Sequence, residues 1–183
     1  MKRTIYALFI ALSLTACGTM WTHLETATPV KAQTYSAELP KDWVRQNQVP
    51  MGNIVISHDG LKIQAIRVEQ TDHDKAFPTL KKKSGQSVLP SELAELQVAE
   101  LKALPGLANI EVVENVPFTV AGLPGYKLHM AFKNVKGLRF ELLWIGVATA
   151  KKYYSLTYQA PSIYYFPKHK PDYEKVVESF RLI

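Results

Sequence analysis

A few histidine, acidic and aromatic side chains are the places in this 183-residue chain where chemistry could begin. Asp72-His73-Asp74 sets two hard carboxylates and an imidazole on a polar stretch. It is the best local metal candidate, yet adjacent residues converge on one ion only with help from distant ligands. As a solvated loop it needs no ion, so no metal site and no cofactor are assigned. His58-Asp59 reads as a hairpin corner, and His129, beside Lys127 on the polar side of a strand, as a surface residue. Lys81-Lys82-Lys83 is a basic run that suits anionic headgroups or plain solvation. Ile163-Tyr164-Tyr165-Phe166-Pro167, followed by Lys168-His169-Lys170, joins rings to bases. Tyr164, Tyr165 and Phe166 are therefore candidate partner-binding residues, since aromatics are enriched at interfaces; the competing reading packs these rings beneath the last helix. No H-E-x-x-H, G-x-S-x-G, P-loop, Rossmann glycine pattern or C-x-x-C occurs, so no catalytic residue is assigned. Cys17 is the single cysteine, which excludes an internal disulfide and a Cys-based zinc site.

The N-terminus explains that cysteine. Met1-Lys2-Arg3 is positive and Ile5 to Ala16 is almost uninterruptedly apolar. The run is shorter than the roughly 20 residues a spanning helix needs and has the layout of an export signal. Leu14-Thr15-Ala16-Cys17 resembles the lipobox of bacterial lipoproteins. That resemblance implies a diacylglycerol on the Cys17 thiol, cleavage before Cys17 and acylation of the new amino group. Ordinary processing one or two residues later is the alternative. Gly18, rather than an aspartate, is similar to the outer-membrane sorting pattern of double-membraned bacteria. The expected location is thus the cell envelope, anchored by lipid on Cys17, on the outer membrane facing the periplasm. One acyl chain holds a protein only marginally; two or three make release slow.

Composition bounds the rest. Lys and Arg number 22 against 16 acids. Loss of residues 1–16 removes Lys2 and Arg3, leaving a side-chain charge of +4. This is too mild and too dispersed for a nucleic-acid footprint. With 47% apolar residues the chain supports one real core.

The expected organisation is a signal peptide over 1–16, a lipidated N-terminus and tether over 17–33, and one domain over 34–183. A flexible tether of that length spans roughly 20–25 Å. Within the domain, Tyr35–Leu39 stops at Pro40 as a first strand. Asn53–Ser57 and Leu61–Val68 flank a D-G pair and predict a tight hairpin. Gln70 to Val88 reads as a long polar loop. Pro90 opens a helix whose apolar stripe is Leu93, Leu96, Val98, Leu101 and Leu104, with Gln97 off its centre, and Pro105-Gly106 closes it. Ile110–Val113 and Pro117–Val120 are two short strands. Tyr126, Leu128, Met130 and Phe132 share one face of the next. Phe140 to Ala150 is apolar on both faces and needs cover on both. Tyr153–Tyr158 follows, and Pro171 to Phe180 is a terminal helix with Tyr173, Val176, Val177 and Phe180 on one side. Short turns between successive strands imply an antiparallel sheet, so the fold class is α+β: an α/β/α sandwich with a central, mainly antiparallel sheet flanked by helices.

The run Leu39-Pro40-Lys41-Asp42-Trp43, the run Lys152-Tyr153-Tyr154-Ser155-Leu156-Thr157-Tyr158-Gln159-Ala160-Pro161 and the terminal Tyr173-Glu174-Lys175-Val176-Val177-Glu178-Ser179-Phe180-Arg181 resemble the PsbP-like family. Its members include the extrinsic photosystem II protein and the yeast Ran-binding import factor of the same fold. The resemblance covers Tyr35 to Ile183 and brings no catalytic motif. It implies a non-enzymatic module that binds an envelope protein or stabilises a complex. The rival is a small-ligand or metal carrier, or an enzyme whose site is assembled from scattered residues.

Overall fold

A computed structural model describes residues 19–183; Cys17 and the signal segment lie outside them. Among these residues eleven strands and two α-helices are arranged as β1 (Trp21–His23), β2 (Thr28–Lys31), β3 (Tyr35–Leu39), β4 (Val44–Gln46), β5 (Ile54–Ser57), β6 (Ala65–Thr71), α1 (Pro90–Ala103), β7 (Ala108–Val120), β8 (Leu123–Lys133), β9 (Arg139–Ala148), β10 (Tyr153–Pro161), α2 (Tyr165–Ser179) and β11 (Arg181–Leu182). An eight-stranded sheet runs β1-β4-β5-β6-β10-β9-β8-β7, and β11-β3-β2 forms a small second sheet. Every pairing is antiparallel. No helix among the described residues is long and apolar enough to cross a membrane.

The two-sided reading of β9 holds. Leu143, Ile145 and Val147 enter one core cluster with Trp43, Tyr158, Tyr173, Val176 and Phe180. Phe140 and Leu142 enter the other with Leu93, Ala94, Leu101 and the β8 row Tyr126, Leu128, Met130 and Phe132. Because side chains alternate across a strand, these clusters occupy opposite faces of the sheet. One contains α2 and the other α1. The α2 side also carries the small sheet, which the three-layer expectation lacked: α2 packs on β3 as well as β10.

Three local expectations change. The tether is not free chain: β1 pairs with β4 and β2 with β3, so ordered pairing begins at Trp21 rather than Tyr35. These short edge strands carry too few residues to display a period. The two strands expected around Pro117 are one strand, β7. It lies at the sheet edge, where proline sacrifices no ladder bond. It turns into β8 through Ala121 and Gly122, both at positive φ (48° and 82°), as a tight hairpin demands. Finally, α2 starts at Tyr165 and carries Pro171 inside it, so Tyr165-Phe166-Pro167 open the helix while Ile163 and Tyr164 stay on the turn before it.

Candidate functional site

The turn after β3 builds the floor of the site. Asp42 takes a left-handed backbone (φ 64°), which a short polar side chain tolerates. Its N–H donates to the Leu24 carbonyl at 2.6 Å, and the Leu24 N–H donates to the Trp43 carbonyl at 2.8 Å. Trp43 is thereby fixed in full burial. Its indole N–H donates to Asp172 Oδ2 on α2 at 3.1 Å. The edge of the indole meets two imidazoles, with centroids 5.3 Å from His169 and 6.1 Å from His58.

His58 and Asp59 come from the β5–β6 connection, and here the hairpin expectation is corrected. The D-G pair does not make a two-residue turn, because β6 starts only at Ala65. Residues 58–64 wind into a loop in which the Ile63 and Gln64 N–H groups donate to the Gly60 carbonyl at 2.9 and 3.0 Å. Ser57 Oγ donates to the Gln64 carbonyl at 2.7 Å and accepts from the Gly60 N–H at 2.9 Å. The buried Gln64 carboxamide, with its oxygen turned inward, accepts from the N–H groups of His58 and Asp59 at 3.1 and 3.3 Å. This winding aims His58 and Asp59 at α2.

There they meet His169. Asp59 Oδ2 lies 3.2 Å from His58 Nδ1 and 3.1 Å from His169 Nε2. The other nitrogen of His169, Nδ1, lies 3.5 Å from Asp172 Oδ2, one turn along the helix. One ligand atom from each of His58, Asp59 and His169 lies within 4.8 Å of the other two. The His169 side chain is 5% exposed, whereas His58 and Asp59 are 32% and 27% exposed, so the cluster is rooted in the core and open at its mouth. Burial pushes the Asp59 carboxyl up, but the hydrogen bond from His58 and the charge of Lys168 outweigh it, and the group sits below its ordinary range. A cleft of about 460 Å³ bordered by Trp43, His58, His169, Asp172 and Lys175 opens on one side. A second, of about 500 Å³, borders Asp59 between Trp21, Val44, Leu61 and Ile63. Two imidazoles and a carboxylate facing one point can share protons or ligate a cation.

The residues singled out from sequence mostly do structural work. Asp72 binds Lys152 at 2.5 Å and Lys75 at 3.0 Å, which hold its carboxyl down at about 2. His73 Nδ1 faces Ser84 Oγ at 2.8 Å. The Asp72-His73-Asp74 triplet therefore does not converge. His129 pairs with Glu141 at 2.8 Å and stacks on Phe166 (centroids 5.5 Å apart, planes 8° apart), so it is a packed residue rather than a surface one. In the basic run, the Lys82 N–H donates to the Phe77 carbonyl at 3.1 Å while Phe77 is fully buried; the polar loop is thus pinned to the core. The aromatic trio divides. Phe166 is buried and Tyr165 packs against the core edge, while Tyr164 stays 60% exposed beside Ile163 at 93%. Lys168 Nζ lies 5.2 Å from the Tyr164 ring centre. Sequence reading missed the convergence of His58, Asp59 and His169. The adjacent pair His58-Asp59 and the helical spacing His169-x-x-Asp172 were its local traces, and nothing local joins them, because Asp59 and His169 lie 110 residues apart.

The PsbP family model matches residues 29–182. No curated protein sequence matches the chain. Cyanobacterial PsbP (CyanoP) from Synechocystis sp. PCC 6803 is similar over 93% of this chain and 99% of its own, with a TM-score of 0.59 at 11% identity. LpqN of Mycobacterium tuberculosis, involved in cell envelope biogenesis, is similar over 90% of this chain and 92% of its own (TM-score 0.57, 14% identity). The Saccharomyces cerevisiae Ran-binding protein Mog1p is similar over 86% of this chain and 96% of its own (TM-score 0.55, 12% identity). This chain also resembles a Bacteroides thetaiotaomicron VPI-5482 protein, of which it spans 49%. At such identities the likeness to solved structures carries the fold alone. The family match over 29–182 and the antiparallel sheet with its two helices agree: the chain belongs to the PsbP family.

Proposed function

We propose that this protein is a lipid-anchored accessory module of the cell envelope that binds a protein partner and performs no catalysis. The observation that carries the reading is a cluster of exposed apolar side chains at one end of the large sheet. Val135 (83% exposed) and Leu138 (49%) sit on the β8–β9 turn, and Ile163 (93%) and Tyr164 (60%) on the β10–α2 junction. The two segments are adjacent, since the Ser162 N–H donates to the Arg139 carbonyl at 3.1 Å and Phe140 pairs with Pro161. Lys133, Lys136 and Arg139 flank the β8–β9 turn in the chain, and Arg139 pairs with Glu111 and Glu141. Exposed apolar side chains rimmed by polar ones mark protein-binding surfaces. The Ran-binding role of Mog1p and the envelope role of LpqN are consistent with it.

Anchoring rests on the lipobox-like Leu14-Thr15-Ala16-Cys17, and Gly18 favours an outer membrane with the domain facing the periplasm. The chain is already held two residues past Cys17, where Asn47 Nδ2 donates to the Thr19 carbonyl at 2.7 Å, and the Asn47 N–H donates to the next carbonyl, that of Met20, at 2.9 Å. From Cys17 to Thr19 the chain reaches at most about 7 Å. A lipid on Cys17 would therefore hold the domain against the membrane surface.

The test has two arms. Radiolabelled palmitate is expected to enter the wild-type protein and not Cys17→Ser; an unlabelled wild type would end the anchoring claim. A photo-crosslinking residue at position 163 is expected to capture an envelope protein that the same residue at exposed Lys62 does not, with capture lost in Leu138→Ser/Tyr164→Ser. Equal capture at both positions would remove the surface claim.

A further inference from the structure

We propose that His58, Asp59 and His169 bind one late first-row divalent cation, with zinc the ion their chemistry suits best. The ligands are an imidazole nitrogen from each histidine and Asp59 Oδ2. In a tetrahedral zinc site with bonds of about 2.0–2.1 Å, ligand atoms stand about 3.3 Å apart. Two edges of the triangle are close to that already, at 3.2 Å from Asp59 to His58 and 3.1 Å from Asp59 to His169. The third edge, between the imidazoles, is within 4.8 Å. It closes by rotation of the His58 ring, the more exposed of the two, which now packs against the His169 ring with centroids 4.6 Å apart.

Three further features match a metal site better than a chance ion pair. His169 has Asp172 behind Nδ1 while Nε2 faces the cluster. A carboxylate behind a ligating histidine fixes the ring and strengthens the donor. Asp172 is itself held by the Trp43 indole, so the carboxylate facing Nδ1 is anchored to the core. The rooted ligand lies on a helix and the other two on a wound loop, leaving the fourth position open to the cleft beside Trp43. Imidazole-rich sets exclude magnesium and calcium, which require oxygen ligands. Among the described residues this is the one such trio. His73 is paired with Ser84 and His129 with Glu141, so neither competes.

A bound ion would link α2 to the β5–β6 loop and sit between the two clefts. The site is independent of the apolar surface around Ile163 and of the anchor on Cys17, so it stands or falls by its own experiment. The full chain, purified in detergent with any histidine tag removed, is titrated with Zn(II) against a fluorescent chelator and separately with Co(II). One equivalent is expected to bind. Visible d–d bands of tetrahedral intensity are expected with Co(II), together with a rise in melting temperature on loading with Zn(II). His58→Ala and Asp59→Asn are expected to weaken binding at least about tenfold. His73→Ala is expected to leave it within twofold. His58 is exposed, so its variant keeps the fold, and circular dichroism checks this; His169→Ala, in the core, is not relied on. Absence of saturable one-to-one binding in the wild type, or equal effects of His58→Ala and His73→Ala, would overturn the proposal.

Discussion

Gly146 on β9 lies directly opposite Tyr126 on β8, and the missing side chain is what lets that ring lie flat across the strand. A Cβ at position 146 would stand 2.5 Å from the Tyr126 ring. The ring cannot retreat, because Tyr126 is buried and its hydroxyl bonds that of Tyr153 at 2.5 Å. Gly146→Ala is therefore expected to destabilise the fold by about 1–3 kcal/mol through overpacking, read as a lower urea midpoint. An unchanged midpoint would mean that the ring does not occupy this place. At the same scale, Trp43 was legible as a family mark but not as the brace of Asp172. A tryptophan in a sequence shows that it will be buried, not which carboxylate its N–H will find.

At the scale of elements, the face of α1 is more polar than its sequence suggests. Leu93, Ala94, Gln97, Glu100 and Leu101 are its buried residues, while Leu104 is exposed. Gln97, expected off the stripe, is therefore on it. The polar positions are explained by what lies against the helix: Glu100 accepts from the N–H of Thr79 at 2.8 Å and of Leu80 at 3.0 Å. One carboxylate thus closes the segment between β6 and α1, whose Phe77 plugs the core. Glu100→Ala leaves two N–H groups without their acceptor, and a loss of about 1–3 kcal/mol is expected. Hydrogen exchange is expected to quicken at Thr79 and Leu80 first. Exchange rising equally across α2 would place the role of Glu100 elsewhere. The length and polarity of this segment suggested a loop; its own turn contacts and a carboxylate from a later helix make it ordered.

Across the whole molecule the sheet separates two cores, and tyrosines fill both. Tyr35, Tyr158 and Tyr173 lie on the α2 side and Tyr126 and Tyr153 on the α1 side. Burial raises the hydroxyl of each, that of Tyr153 to about 12 and the others to well above their ordinary value. An unfolded chain ionises these groups near pH 10. The native state then holds more protons than the unfolded state, so stability is full below about pH 10 and falls as the pH rises beyond it. Phenolate absorbance from these five residues is expected to appear together with loss of circular dichroism. Complete ionisation near pH 10 with the fold intact would contradict the packing.

Alternation from Tyr126 to Phe132, the two-sided run at Phe140 to Ala150 and the amphipathic end at Tyr173 to Phe180 were readable directly, as were the PsbP-like marks. Such features depend on residues two to four apart, and side-chain period is a local property of the backbone. Register and layer decided the rest. They drew the expected tether into two strands, put Phe166 inside and Tyr164 outside, and carried His169 across 110 residues to Asp59. No local period encodes which distant side chains will face one another, because that follows only when strands pair and a helix settles on the sheet.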